Sequence, residues 1–310
     1  MFRQSGTFFS WGKNFSRFFL LFSLMFCLVP AIGFSIPLVD FARICLGAHL
    51  YGEKEFAIPQ GYTLLLAQPQ IKDGFQGVAF EKIDSGEVVI AFSGTDVSDP
   101  GDLLADLGIV ESDIQALKKA IMILIGKDQP NKEDKDKAKE VLEHARVSMI
   151  ANPKESIYAQ IESARKFTKA VMALISEKQR FASLHQDFGE ANRERSVFFA
   201  GHSLGGFLAE ILAYENNLPA LTFNAPGAAG MVKAEKSDRI VNCIREYDLA
   251  GIYGAHIGNL TVYPYCKRTV TNFYKPFIIR NHLMRLFLED LEDGMIPLPP
   301  QAPTPVSLSN

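Results

Sequence analysis

The chain has 310 residues, 47% of them hydrophobic, which suits one large domain with a sizeable core better than two equal ones. A formal net charge of -3 provides no basic footprint and argues against nucleic acid as a partner. The four cysteines, Cys27, Cys45, Cys243 and Cys266, show no zinc-site spacing, so no metal site is expected.

The N-terminus reads as an export signal. Arg3, Lys13 and Arg17 form a positive leader, and residues 18–29 are an apolar run interrupted only by Ser23. Pro30 and then Ala31-Ile32-Gly33 offer a cleavage region. An uncleaved membrane anchor is the alternative, because no charge falls between Arg17 and Asp40. Phe26 stands where a lipoprotein signal needs a small residue before Cys27, so a lipid anchor is not expected. Residues 1–35 are therefore assigned to the leader. If the leader is exported, Cys243 and Cys266 are the nearest pair for a disulfide, although buried thiols are the favoured reading.

Residues 36–60 read as a helix and an entry loop, with Leu38, Phe41, Ala42, Cys45 and Leu46 at helical spacing. Two strands, residues 77–83 and 87–92, flank a hairpin turn at Asp84, Ser85 and Gly86. The second strand is apolar on both faces, as a central strand covered by helices should be. It runs into Ser93-Gly94-Thr95-Asp96, with Asp102 to Leu107 soon after.

Residues 108–155 form a helical and partly charged segment. Ile114, Leu117, Ile121, Leu124 and Ile125 mark one amphipathic helix, residues 126–130 break it, and an apolar stripe resumes at Val141, Leu142 and Ala145. A surface helical hairpin is the favoured reading, and a lid with an apolar face is the sharper one. Ile157, Ile161, Ala164, Thr168, Val171 and Ile175 predict a further helix, followed by a polar connection over residues 179–195.

The chain then reaches its most informative stretch. The short apolar run Val197-Phe198-Phe199-Ala200 leads into Gly201-His202-Ser203-Leu204-Gly205-Gly206. Leu204, Phe207, Leu208, Ile211 and Leu212 follow at helical spacing. Strand, tight Gly-flanked turn and helix make a nucleophile elbow, which strains the serine and sets it at a helix N-terminus. Free N–H groups there favour an oxyanion, so Leu204 is one expected donor. Thr95, at the end of the earlier strand, is the expected second. A strand over residues 220–223 follows, and Asn224-Ala225-Pro226-Gly227 turns at its carboxyl end, the edge where open parallel sheets bind ligands.

A serine nucleophile needs a base, and the base needs an orienting acid. Asp248 lies just past the apolar strand at residues 240–244 and is the favoured acid, with Glu246 its local rival. Only His256 and His282 follow it. His282 is favoured because it opens an apolar helix, Leu283 to Leu288, where a late loop can swing an imidazole onto Ser203. His256 is then structural or substrate-lining, and His202 packs in the turn. The tail over residues 297–310 is Pro-rich and expected to be flexible.

Taken in order, Phe92-Ser93-Gly94-Thr95-Asp96, Asp102 to Leu107, and Gly201-His202-Ser203-Leu204-Gly205-Gly206 resemble the class 3 lipases. Phe223-Asn224-Ala225-Pro226-Gly227 resembles an uncharacterised lipase-like branch of the α/β-hydrolases. The similarity spans roughly residues 60–290 and departs from class 3 lipases at 108–155, which is longer and lacks their His-x-Gly-Phe-like strand. The resemblance implies an α/β-hydrolase fold over residues 36–296: a mostly parallel central sheet flanked by helices, with a helical insertion at about 108–155. It also supports Asp248 as the acid and a late histidine as the base. The expected activity is hydrolysis of lipid or other carboxylic esters by Ser203, Asp248 and His282, with Thr95 and Leu204 as oxyanion donors. Neither a metal nor an organic cofactor is called for, and the expected contacts are an ester substrate and a membrane surface. A thioesterase or short-chain esterase uses the same constellation, and a catalytically silent binding protein of this fold is the rival from another class.

Overall fold

One sheet follows chain order across the protein: β1 (Tyr62–Gln68), β2 (Gly77–Lys82), β3 (Val88–Phe92), β4 (Val197–His202), β5 (Ala220–Phe223), β6 (Ile240–Arg245) and β7 (Asn259–Tyr263). The computed structural model describes residues 36–94, 99–126, 130–184, 196–233, 236–266 and 274–296. All of these belong to one unit, Phe34–Asn310. The leader, the Pro-rich tail and Thr95 lie outside the described residues. Among the described residues, no helix is long and apolar enough to cross a membrane.

Pairing is antiparallel from β1 to β3 and parallel from β3 to β7. The chain therefore has a mostly parallel sheet, as expected. Every residue of β3, β5 and β6 is buried, because helices cover both faces. Side-chain alternation splits these strands between two cores. Val88, Ile90, Phe92 and Phe199 join one cluster, whereas Val89, Ala91, Phe198 and Ala200 join the other.

Helix α1 (Leu38–Leu50) covers the second face through Phe41, Ala42 and Cys45. Helix α2 (Pro100–Asp106) starts at Asp99, whose side chain accepts the Gly101 N–H at 2.8 Å. The insertion contains α3 (Glu111–Leu124) and α4 (Lys132–Val147). Their inward residues Ile114, Leu117, Ile121, Ala138, Leu142 and Ala145 belong to the main core, so this hairpin is packed into the domain rather than splayed from it. Its neck is closed by the Lys154 N–H on the Asp106 carbonyl at 2.8 Å and by Lys154 Nζ on Asp106 Oδ1 at 2.5 Å.

Helix α5 (Glu155–Leu184) runs past the expected break at residue 179, since the helix-favouring Lys178, Gln179 and Arg180 let it continue into solvent. The rest of the expected connection lies outside the described residues. Next come α6 (Leu204–Asn216), the single turn α7 (Ala229–Val232), α8 (Tyr274–His282) and α9 (Met284–Glu292). His282 thus closes α8 instead of opening the last helix, which begins two residues later.

Cys45, Cys243 and Cys266 are buried, and no disulfide joins them. Burial pushes the Cys243 thiol up to about 12, which keeps it protonated and unreactive.

Arg245, the last residue of β6, anchors α9 to the sheet. Its fully buried guanidinium meets Asp290 Oδ2 at 2.7 Å and the Leu286 carbonyl at 3.0 Å, and stacks 4.8 Å from the Phe287 ring centre. Breaking a buried pair leaves an uncompensated charge. Asp290→Ala is expected to cost about 3–5 kcal/mol in urea unfolding. A loss under about 1 kcal/mol would show that the pair does not hold α9 in place.

Candidate active site

Where β4 ends, the backbone turns abruptly and Ser203 takes φ 58° and ψ -129°. Such a conformation costs a non-glycine residue about 1–3 kcal/mol, so surrounding contacts must impose it. The Ser203 N–H donates to the Phe223 carbonyl at 3.0 Å, and its own carbonyl accepts the Phe207 N–H at 3.1 Å. Both flanking glycines are demanded by contact. A Cβ on Gly201 would lie 2.2 Å from the Gly205 carbonyl carbon, and one on Gly205 only 2.1 Å from the Phe92 oxygen.

The structure brings Ser203, His282 and Asp248 together. His282 Nε2 lies 2.8 Å from Ser203 Oγ, while its Nδ1 lies 2.9 and 3.1 Å from the two Asp248 oxygens. Asp248 also accepts the Gly251 N–H on Oδ1 at 2.6 Å. A carboxylate has no proton to give, so Nδ1 carries the ring proton and Nε2 offers its lone pair to the serine. Asp248 is inaccessible to solvent, and Ser203 and His282 are only 2% and 5% exposed. Glu246, the rival acid, instead meets this network through its backbone carbonyl, which accepts Asn281 Nδ2 at 2.9 Å.

His256 stands elsewhere. Its Nδ1 is 2.6 Å from Glu210 Oε1 and its Nε2 is 3.2 Å from the Gly251 carbonyl, so neither nitrogen is available to Ser203. His202 has a role beyond packing: Nε2 donates to the backbone carbonyl of His282 at 2.6 Å, with the two rings 4.8 Å apart. Burial, reinforced by the neighbouring His282, holds the His202 pKa well below the ordinary 6.5. It is therefore a neutral donor that adds no second positive charge beside the imidazole.

Of the expected oxyanion donors, Leu204 opens α6, where first-turn N–H groups lack acceptors within the helix. Thr95 lies outside the described residues, but the strand end before it approaches the serine. A Cβ on Gly94 would stand 3.0 Å from Ser203 Cβ.

Two residues support the site through side-chain roles that the sequence did not assign. Asn224, at φ 46°, accepts the Arg245 N–H at 2.9 Å and donates to the carbonyls of Asn281 and His282 at 3.3 and 3.4 Å. Asn281 accepts the Cys266 N–H at 3.1 Å. Their local signals were the Asn224-Ala225-Pro226-Gly227 turn after β5 and the adjacent Asn281-His282 pair. A cavity of about 430 Å³ in the insertion, lined by Leu117, Val141, His144 and Tyr253 among others, includes none of the three triad residues in its wall.

The strand order, the elbow and the helices on both faces define an α/β-hydrolase fold. No protein-family model matches the chain, and no curated protein does either. Solved structures similar to it include a triacylglyceride lipase of Rhizomucor miehei, at 12% identity over 73% of this chain and 78% of that one (TM-score 0.37). A triacylglycerol lipase of Penicillium expansum shares 12% identity over 74% and 79%, with a TM-score of 0.38. The Lip2 lipase of Yarrowia lipolytica shares 13% over 74% and 78%, with a TM-score of 0.42. At these values the likeness carries nothing about substrate or site.

The His202 environment has a measurable consequence. Its folded pKa is depressed, so the unfolded chain takes up the proton first, and the stability held above 6.5 is lost as pH falls through and below that value. His202→Gln keeps a donor for the His282 carbonyl but cannot titrate. Chemical unfolding from about pH 8 to about pH 5 should show the variant losing less stability than the wild type. Parallel losses would contradict the neutral, buried state of His202.

Proposed function

We propose that the protein is a serine hydrolase that cleaves carboxylic esters, of the lipase or phospholipase type, through Ser203, His282 and Asp248. One observation carries this reading: a single imidazole lies between the strained elbow serine and a buried carboxylate, with both hydrogen bonds in place. The ordered motifs shared with class 3 lipases favour lipid esters as the substrate class. An export signal fits a substrate met outside the cytoplasm, at or near a membrane surface.

The reaction is acyl transfer. Ser203 Oγ attacks the ester carbonyl carbon while its proton passes to His282 Nε2. The resulting imidazolium is held by Asp248. The carbonyl oxygen gains the negative charge, and the backbone N–H groups of Leu204 and Thr95 stabilise it; one such donor is worth about 3–4 kcal/mol in the transition state. Collapse of the tetrahedral intermediate breaks the carbon–oxygen bond, and Nε2 returns the proton to the departing alkoxide. Water, deprotonated by the same nitrogen, then attacks the acyl-enzyme, releases the acid and restores Ser203.

Hydrolysis of a p-nitrophenyl ester series from short to long acyl chains, set beside matched thioesters, tests activity and substrate class together. Ser203→Ala and His282→Ala are each expected to lower kcat at least about a thousandfold while the protein remains folded. Near-wild-type activity in Ser203→Ala would overturn the mechanism. Preference for thioesters or for the shortest chains would overturn the lipid-ester assignment and leave the mechanism standing.

A further inference from the structure

Glu210 and His256 form a second carboxylate–imidazole pair, which the mechanism above does not use. Glu210 lies on α6, about two helical turns beyond Ser203, and is fully buried. A buried carboxylate must have its lone pairs occupied. Here Oε1 meets His256 Nδ1 at 2.6 Å, and Oε2 accepts the Ile257 and Ala228 N–H groups at 3.1 and 3.4 Å. The other ring nitrogen of His256 lies 3.2 Å from the Gly251 carbonyl. Its ring partners are a carboxylate and a backbone carbonyl, an arrangement that favours a proton on both nitrogens. Burial alone would strip its proton, but the Glu210 charge and these hydrogen bonds outweigh burial and raise its pKa above the ordinary value.

The pair reaches the acid through one residue. The Gly251 carbonyl is held by His256, and the Gly251 N–H donates to Asp248 Oδ1 at 2.6 Å. The loops that Glu210 gathers are also tied to each other: the Gly227 N–H meets the Tyr253 carbonyl, and the Ala229 N–H the Ala255 carbonyl, both at 2.9 Å. Stability alone is a weak reason for such a pair, since a buried ion pair rarely outperforms apolar packing.

We infer that His256, seated by Glu210, is a positioning residue for the catalytic acid: its Nε2 hydrogen bond fixes the Gly251 carbonyl, so that the Gly251 N–H holds the Asp248 carboxylate in line with His282 Nδ1. Neither touches the reacting atoms. The inference rests on the serine-hydrolase reading above.

Two amide replacements separate this role from a purely structural one. In a Glu210→Gln background, which leaves no unpaired buried carboxylate, His256→Gln places its amide nitrogen near the position of Nε2 and keeps the Gly251 bond. His256→Asn places it near Nδ1 and loses that bond. On p-nitrophenyl butyrate with the full-length protein, the Asn variant is expected to lose about 10- to 100-fold in kcat with KM little changed, while the Gln variant keeps most of its kcat. The low-field proton resonance of the His282–Asp248 bond should shift or broaden in the Asn variant only. If the Asn variant does not fold, His256→Phe in the same background is read against the same expectation. Equal kcat and an unmoved resonance in both variants would overturn the positioning role while leaving the triad intact. Absence of Ser203-dependent hydrolysis in the wild type would overturn the hydrolase reading and this inference with it.

Discussion

A neutral imidazole has one ring proton, and the groups around it decide which nitrogen keeps that proton. In this protein the decision falls to Asp248, a buried carboxylate that can only accept. With the proton held at Nδ1, Nε2 presents a lone pair 2.8 Å from the Ser203 hydroxyl. Had the ring turned over or the carboxylate swung away, the same three residues would form an inert buried cluster. Much of the surrounding structure prevents both movements.

The controls come from several strand ends at once. His202, at the end of β4, and Asn224, just past β5, both reach the His282 carbonyl. Asn281 is tied to the backbone after β6 and to Cys266. Arg245 clamps α9 immediately beyond the histidine. Parallel strands ending at one edge make this convergence available, because each strand delivers its next residue to the same rim. The cost is a set of polar groups with almost no solvent exposure, and in the site most of them bond to backbone. Backbone partners are fixed by the fold, so such bonds orient a side chain more firmly than two mobile side chains could.

The central strands β3 to β6 were legible in the sequence because burial on both faces leaves largely apolar runs, with Thr222 in β5 and Asn242 in β6 the polar exceptions inside them. The edge strands were not. In β1 the register shifts between Leu64 and Leu66, which breaks the alternation that marks a strand. In β7 the aliphatic residues Leu260 and Val262 are the exposed ones, opposite to the usual pattern. Within the site, the elbow was legible because strand, tight turn and helix lie in one continuous stretch. Asp248 was favoured from its place past a strand end, and His282 from chain order and its nearness to the last apolar helix, although it closes α8 rather than opening α9. The Glu210–His256 pair could not be read in the same way, since its members are 46 residues apart and meet only through the fold. The local trace was Glu210 itself, a charge within the otherwise apolar run of α6 from Leu204 to Ala213.

The central claim is that this geometry activates Ser203. Covalent labelling with a fluorophosphonate, followed by mass-spectrometric mapping of the modified peptide, tests it most directly. The account predicts one phosphonyl group on Ser203 in the wild type, and its loss when His282 is replaced by alanine. A label on another residue, or equal labelling of Ser203 without His282, would contradict it.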